Sequence, residues 1–95
     1  MSERRFQFRL YVAGNASNST LAVANLTNFC RQHLANKHEL QVIDVFREPE
    51  LALADSVLMT PMLLILGPLP RCRIVGSLND PALLLRTLGL EPLAA

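Results

Sequence analysis

The chain opens with a regular alternation of apolar and polar positions. From Phe6 to Val12 every second side chain is apolar, which is the pattern of a β-strand with one face on a core. Gly14 and Asn15, which both tolerate left-handed backbone angles, follow directly. The pattern therefore predicts a first strand over Phe6–Val12 that ends at a tight turn.

The period then changes to that of a helix. Residues suited to one buried face recur three or four positions apart: Ala22, Leu26, Phe29, Cys30 and His33. Possible N-cap residues precede them: Ser17, Asn18 and Ser19. We predict a helix from about Asn18 that ends before 36–38, then a strand over Leu40–Phe46. Because a crossover helix separates the two strands, they should be parallel.

The second half of the chain gives weaker signals. Pro49 suits the first turn of a short helix over Pro49–Leu58, since its missing N–H costs nothing there. The segment Met62–Leu66 is apolar at every position, so periodicity alone leaves a buried strand and a buried helical turn both open. Arg71–Val75 is predicted to be an edge strand. The local order is then βαβαββα.

The last predicted element is a helix. It begins at Asp80-Pro81 and ends near Gly89, with Asn79 as the predicted cap.

Thr60-Pro61 stands directly before the apolar run and narrows the fold further. An X-Pro bond pays about 0.5–1 kcal/mol for the cis form, so a proline at the mouth of a buried strand is a usual place for a cis peptide. The sequence leaves cis and trans open. A strand–helix–strand half followed by Thr-Pro and further strands is the outline of an α/β, thioredoxin-like domain.

Composition and charge exclude several classes of function. The chain has 95 residues, the length of a single domain spanning 1–95. It is 51% hydrophobic with a mean hydropathy of +0.27, so self-association is expected to cover surplus apolar surface. A formal net charge of +1 argues against nucleic-acid binding.

The distribution of apolar residues and cysteines indicates a cytoplasmic chain with no membrane partner. Met62–Leu66 is the longest apolar stretch, far below the roughly 20 residues of a membrane span. The first residues lack the apolar segment of a signal peptide. Two cysteines do not make a disulfide framework, so we expect a reduced, cytoplasmic protein.

The cysteines are also poorly placed for redox chemistry. Thioredoxin-like enzymes carry a thiol at the turn after the first strand, where the helix N-terminus lowers its pKa. Here the turn runs from Gly14 to Ser17 without a cysteine, while Cys30 lies mid-helix and Cys72 in a late strand. We therefore expect that the protein is not an enzyme and binds no cofactor. The alternative is a glutathione-dependent protein that uses Ser17 and the turn around Ser77.

The remaining polar residues allow two interpretations. His33 and His38 have no partner ligands at metal-site spacing, so no metal site is predicted, and Asp44 is expected to be paired or at a sheet edge. Five arginines would share a face if the first and last strands are close: Arg4, Arg5, Arg9, Arg71 and Arg73. They form either a charged sheet edge or a docking patch for an acidic partner.

Several segments together resemble the KaiB family. They are Leu10-Tyr-Val-Ala-Gly-Asn15, Val42-Ile-Asp-Val45, Pro49-Glu-Leu-Ala52, Thr60-Pro61 and Pro70-Arg-Cys-Arg-Ile-Val-Gly-Ser-Leu78. The resemblance covers about residues 6–80. Leu21 and Ile65 stand where the family usually has basic residues, so the chain resembles a divergent paralogue.

The resemblance implies regulation by binding and no catalysis. The expected partner is the ATPase ring of a KaiC-type kinase/phosphatase, with KaiA or a histidine kinase as further partners. By this resemblance Arg9, Arg71 and Arg73 are the candidate partner-binding residues. A stand-alone adaptor for a SasA-type histidine kinase remains an alternative.

The resemblance also implies two exchangeable folds that share the N-terminal βαβ half. One is a resting homotetramer with the order βαββααβ, and the other is a binding-competent monomer with the order βαβαββα. Pro61, Pro68 and Pro70 are the candidate prolines for the exchange. For the isolated chain we expect the resting tetramer.

Overall fold

The structure is a computed structural model that describes residues 5–68 and 71–90. In chain order the elements are β1 (Phe6–Val12), α1 (Ser17–His33), β2 (His38–Asp44), α2 (Pro49–Ala54), β3 (Met62–Gly67), β4 (Cys72–Val75) and α3 (Pro81–Thr87). The order is βαβαββα, which confirms the thioredoxin-like interpretation. The resting order expected for the isolated chain is not the one in this structure.

One four-stranded sheet runs in the order β2-β1-β3-β4. β1 and β2 are parallel, as predicted, and β3 is antiparallel to both of its neighbours. β4 is an edge strand, also as predicted. The apolar segment from Met62 is a strand and not a helical turn, because it lies between β1 and β4 and is covered on both faces.

The two faces of the sheet carry different layers. The even-numbered side chains of β1, from Phe6 to Val12, pack with α1 and α3 in the larger core. Tyr11, on the opposite face, packs with Ile43, Met62 and Leu64 beneath Ala52 of α2. Of the helices in residues 5–68 and 71–90, α2 is therefore the one that covers this side of the sheet.

Two helix boundaries differ from the sequence prediction. None of the expected serine and asparagine caps bonds to the start of α1; its N-cap is Ala16, and the Ser19 hydroxyl accepts a 3.0 Å bond from the Ala13 N–H. α3 is capped by Asp80, whose carboxylate accepts from the Leu83 N–H, and not by Asn79.

Two other elements are shifted or shortened. β2 begins two residues earlier than expected, at His38, and ends at Asp44, after which the chain turns. α2 ends at Ala54 because Asp55 takes part in contacts with the sheet and Ser56 has a positive φ of 56°. The predicted last turn of this helix, up to Leu58, is instead an open loop.

The candidate prolines are partly described. The Thr60-Pro61 and Gly67-Pro68 peptide bonds are both cis. Pro70 lies outside the described residues. No helix in the described ranges is both long enough and apolar enough to span a membrane.

Candidate docking face

The side of the sheet covered by α2 gathers the arginines singled out in the sequence. In the strand register Arg9 of β1 lies opposite Leu64 of β3, and Leu64 lies opposite Arg73 of β4. Residues in one such row point to the same side of a sheet, so Arg9 and Arg73 share the α2 side. Arg71 stands two positions before Arg73, and its positive charge helps to lower the pKa of Asp55 after the larger effects of the Tyr11 and Arg9 bonds. We call this side the docking face.

The other two arginines of the predicted patch do not extend it. Arg5 is at the far end of the sheet, where its Nε is 3.4 Å from a carboxylate oxygen of Glu39 on β2. Arg4 lies outside the described residues. The predicted face therefore holds Arg9, Arg71 and Arg73.

A polar cluster of three side chains ties α2 to the centre of the sheet. The Arg9 Nη1 atom is 2.8 Å from Oδ2 of Asp55, and the Tyr11 hydroxyl donates to the same carboxylate. The hydroxyl also lies 3.2 Å from the Leu51 carbonyl oxygen. Arg9 Nε reaches Gln41 Oε1 on β2 at 3.3 Å. The cluster thus links α2 to both parallel strands.

The protonation states of this cluster are fixed at neutral pH. Burial alone would raise the pKa of Asp55, but hydrogen bonds from Tyr11 and Arg9 outweigh it and lower that pKa below its ordinary value. Burial, followed by the bond to Asp55, raises the pKa of Tyr11 to about 12. The bond to Asp55 likewise raises the pKa of Arg9. Each of these shifts moves a pKa further from 7, whereas a general acid or base needs a pKa near the working pH. The cluster therefore serves to hold α2 on the sheet, and we call it the anchor.

Beside the anchor lies an exposed apolar rim. Four side chains of α2, the following loop and β4 point outward: Leu53, Leu58, Met59 and Val75. Leu58 is 92% exposed, and it lines one groove together with the exposed Met59 and Val75, so the apolar surface here forms a patch. We call these four residues the apolar rim. The sequence pattern did not reveal this rim, because it placed Leu53 and Leu58 in one helix over Pro49–Leu58 and gave no sign of their exposure.

The rim borders a shallow groove of about 390 Å³. The groove is lined by Ser56, Leu58, Met59, Met62, Arg73 and Val75. Arg73 Nη1 donates to the Ser56 carbonyl at 3.2 Å and lies 3.5 Å from the Met62 sulfur. Both acceptors are neutral, so neither of them neutralises the positive charge of Arg73 at the wall of the groove.

The predicted redox and glutathione residues lie elsewhere. Cys30 is buried, and burial raises the pKa of its thiol to about 11. Burial also raises the pKa of Cys72. Ser17 is exposed at the start of α1, and Ser77 accepts a 2.8 Å bond from the Asn25 side chain through its carbonyl oxygen. Among the described residues, no hydrogen bond joins Ser17 to Ser77, and the two share no bonding partner.

The histidines and Asp44 have structural contacts. The His33 ring packs on Phe29, and His38 Nδ1 lies 2.8 Å from the Leu34 carbonyl. Asp44 is paired, as expected: its Oδ1 accepts from the N–H groups of Gly14 and Phe46 at 3.1 and 2.9 Å. Within residues 5–68 and 71–90, no group of three or more His, Cys, Asp or Glu is arranged to hold a metal ion.

The sequence is similar to clock proteins over most of its length. A family model described as the KaiB domain matches residues 9–90. The oscillator protein KaiB of Synechococcus elongatus is 43% identical over 81 residues, covering 84% of this chain and 79% of that protein. The clock protein KaiB3 of a Synechocystis species is 32% identical over 92 residues, covering 97% and 90% respectively.

Solved structures resemble the fold at lower identity. The N-terminal domain of SasA from Synechococcus elongatus matches with a TM-score of 0.75 and 24% identity, covering 93% of this chain and 83% of that one. A thioredoxin from Fasciola hepatica matches with a TM-score of 0.72 and 16% identity, covering 92% and 81%. At these identities the likeness concerns the fold alone.

Proposed function

The chain belongs to the KaiB family, and from that membership we propose that it is a non-enzymatic regulator of a circadian clock or a related output. In this proposal it binds the ATPase ring of a KaiC-type kinase/phosphatase and modulates its phosphorylation or output. KaiA or a histidine kinase would be further partners on the same assembly. The observation that carries the proposal is the family match combined with an exposed apolar rim beside Arg71 and Arg73, neither of which has a carboxylate within 4 Å among the described residues.

The docking face supplies the contact surface in this proposal. Protein interfaces take their affinity from exposed apolar anchors and their orientation from charged neighbours. The apolar rim offers the anchors, and Arg71 and Arg73 offer the charges. Arg9 is turned inward, with its side chain 23% exposed, so its part is to hold α2 and the rim in place through Asp55.

The absence of catalysis is proposed on chemical grounds. The turn where thioredoxin-like enzymes carry their thiol contains no cysteine, and both thiols of the chain have raised pKa values. A raised thiol pKa leaves little of the reactive thiolate at neutral pH. The Arg9, Tyr11 and Asp55 cluster is likewise not prepared for proton transfer.

We further propose that the chain exchanges between this fold and the resting tetrameric order βαββααβ. The second order is the one that the family resemblance implies. The exposed Leu53, Leu58 and Met59 favour self-association, because it would remove them from water. Light scattering at micromolar concentration tests it. A tetramer is expected for the isolated protein, and a monomer at every concentration would count against the exchange.

The direct test of the proposed partner is co-elution. The protein is incubated for hours with the KaiC-type ATPase from its own genome and ATP, then separated on a sizing column. We expect it to move to the position of the ring, and failure to co-elute with any KaiC-type protein of that genome would overturn the proposal. Retention on glutathione resin that is lost on Ser77→Ala would favour the glutathione-dependent alternative.

A further inference from the structure

The outer edge of β4 has no neighbouring strand among the described residues, because the sheet order ends at β4. The Gly76 N–H donates to the Pro61 carbonyl at 2.9 Å, which sets the hydrogen-bond alternation between β3 and β4. In an antiparallel pair the residues that bond to the neighbour alternate with those that point away. Ile74 and Cys72 therefore bond towards β3, and Arg73 and Val75 present their N–H and C=O groups to the free edge.

The side chains of the same two residues lie on the docking face. Arg73 and Val75 lie on one side of the strand, and Leu58 and Met59 line the groove next to Val75. Arg71 directly precedes the strand, two positions before Arg73. A strand that added to this edge would place every second side chain in the same row. It would meet two positive charges and then an apolar groove.

The charge of the edge decides what kind of strand fits. Asp55, whose pKa is lowered in part by the charge of Arg71, is already bonded to Arg9 and Tyr11. The described bonds of Arg73 go to neutral acceptors. A second copy pairing through the same edge would set arginines against arginines, which is unfavourable for cross-strand neighbours. Acidic residues opposite Arg71 and Arg73 would instead be attracted.

We propose that the free edge of β4 binds an extended acidic segment of a partner protein, which adds to the sheet as a further strand. Its backbone bonds to Arg73 and Val75, its acidic side chains lie opposite Arg71 and Arg73, and an apolar side chain enters the groove at Leu58 and Met59. Strand addition of this kind takes affinity from backbone bonds and specificity from alternate side chains. The inference rests on the proposed function and deepens it by naming the segment that the docking face accepts.

A designed peptide tests the edge without any partner protein. In antiparallel pairing the sequence Leu-Val-Glu-Val-Glu places Leu opposite Val75 and the two Glu opposite Arg73 and Arg71. The probe is this peptide, flanked by threonines, capped at both ends and fluorescently labelled, with binding followed by anisotropy. Saturable binding with a Kd below about 1 mM is expected, as for a small transient interface.

Two altered peptides examine charge and backbone separately. Replacing both Glu by Lys should abolish binding to the native protein. Methylating the backbone nitrogen of the central Glu removes the N–H that faces β4, and should also abolish binding. Equal binding by either altered peptide, or no saturable binding by the Glu peptide, would overturn the inference.

Charge reversal on the protein side completes the test. R73E should weaken binding of the Glu peptide about fivefold or more, because an attractive cross-strand pair becomes repulsive. The same variant should bind the Lys peptide more tightly than the native protein does. R31E is the matched control, because Arg31 is an exposed arginine on α1, away from β4. Circular dichroism shows whether each variant is folded, and an R31E effect equal to that of R73E would contradict the inference.

The outcome is separable from that of the proposed function. A protein that co-elutes with the KaiC-type ring but binds no peptide overturns the edge inference alone. If the protein binds the Glu peptide selectively but never binds the ring, the proposed partner is wrong and the inference about the β4 edge stands.

Discussion

The Asp55 carboxylate, directly after α2, lies 2.8 Å from the guanidinium of Arg9 in the middle of β1, 46 residues earlier in the chain. The same carboxylate accepts from Tyr11, so one side chain fixes the end of α2 to the sheet. The loop that carries Leu58 and Met59 begins there. The position of the exposed rim therefore depends on a half-buried ion pair, and this relation leads to several predictions.

Removing the charge of Asp55 should destabilise the fold. D55N keeps the shape of the side chain but leaves Arg9 without its counter-ion, and we expect a loss of about 1–3 kcal/mol in the free energy of unfolding. The lower part of that range is favoured because Arg9 is partly exposed to water. Urea unfolding followed by circular dichroism measures it. E48Q, at an exposed glutamate, is the control and should change stability by less than about 0.5 kcal/mol. Equal stability of the two variants would disprove the anchor.

Acid should weaken the same anchor. The folded pKa of Asp55 is below its ordinary value of 3.8, so its carboxylate contributes stability that is fully present well above that pH. This contribution is lost as the pH falls from 3.8 through the lower folded pKa. Urea unfolding of the native protein and D55N at a series of pH values should give a difference that shrinks in this acid range. A difference that stays constant down to the lowest pH would contradict the assignment.

Tyr11 offers a spectroscopic test, because it is the only tyrosine and the chain has no tryptophan. The ultraviolet absorbance of its phenolate should appear at a pKa of about 12 in the folded protein, against 10.0 for a free tyrosine. In D55N the pKa should fall between these values, since burial remains but the bond to the carboxylate is lost. The stability that comes from neutral Tyr11 is correspondingly present below pH 10 and lost between pH 10 and about 12. Titration at the ordinary value in the folded protein would show that Tyr11 is not buried against Asp55.

The two thiols should react slowly. Burial raises the pKa of Cys30 to about 11 and also raises that of Cys72, so the thiolate fraction at neutral pH is small. Alkylation by iodoacetamide should modify Cys72 slowly and Cys30 only on unfolding, because Cys30 is 1% exposed and Cys72 is half-buried. C72S should leave one site that reacts in denaturant alone. Rapid modification of Cys30 in the folded protein would contradict this description and revive a redox function.

The sequence predicted the elements more reliably than their contacts. The alternation in β1 and the crossover to β2 are local patterns, and they sufficed for the parallel pair and the order of elements. Three elements, α1, β2 and α2, separate Arg9 from Asp55 along the chain. Their pairing therefore depends on the register of β1 and on where α2 ends. The length of α2 was wrong for the same reason, because Asp55 and the positive φ of Ser56 end it through tertiary contacts.

The candidate site was partly predictable. Arg9, Arg71 and Arg73 were selected from the sequence, and the strand register brings Arg9 and Arg73 into one row. The apolar rim was not predicted, because residue type alone does not show whether a leucine is buried or exposed. The sequence predicted Leu58 to lie in a helix, whereas the structure places it in a loop with its side chain exposed.

The most direct measurement of the central claim is the affinity of this protein for the KaiC-type ATPase ring in the presence of ATP, with paired surface variants. L58S and R73E should each weaken binding about tenfold or more, as expected for an interface anchor and its charged neighbour. L21S and R31E, which remove an exposed leucine and an exposed arginine from α1, should bind like the native protein. If L58S and R73E bind as tightly as the native protein, or if the α1 variants weaken binding equally, the docking face assigned to this protein is wrong.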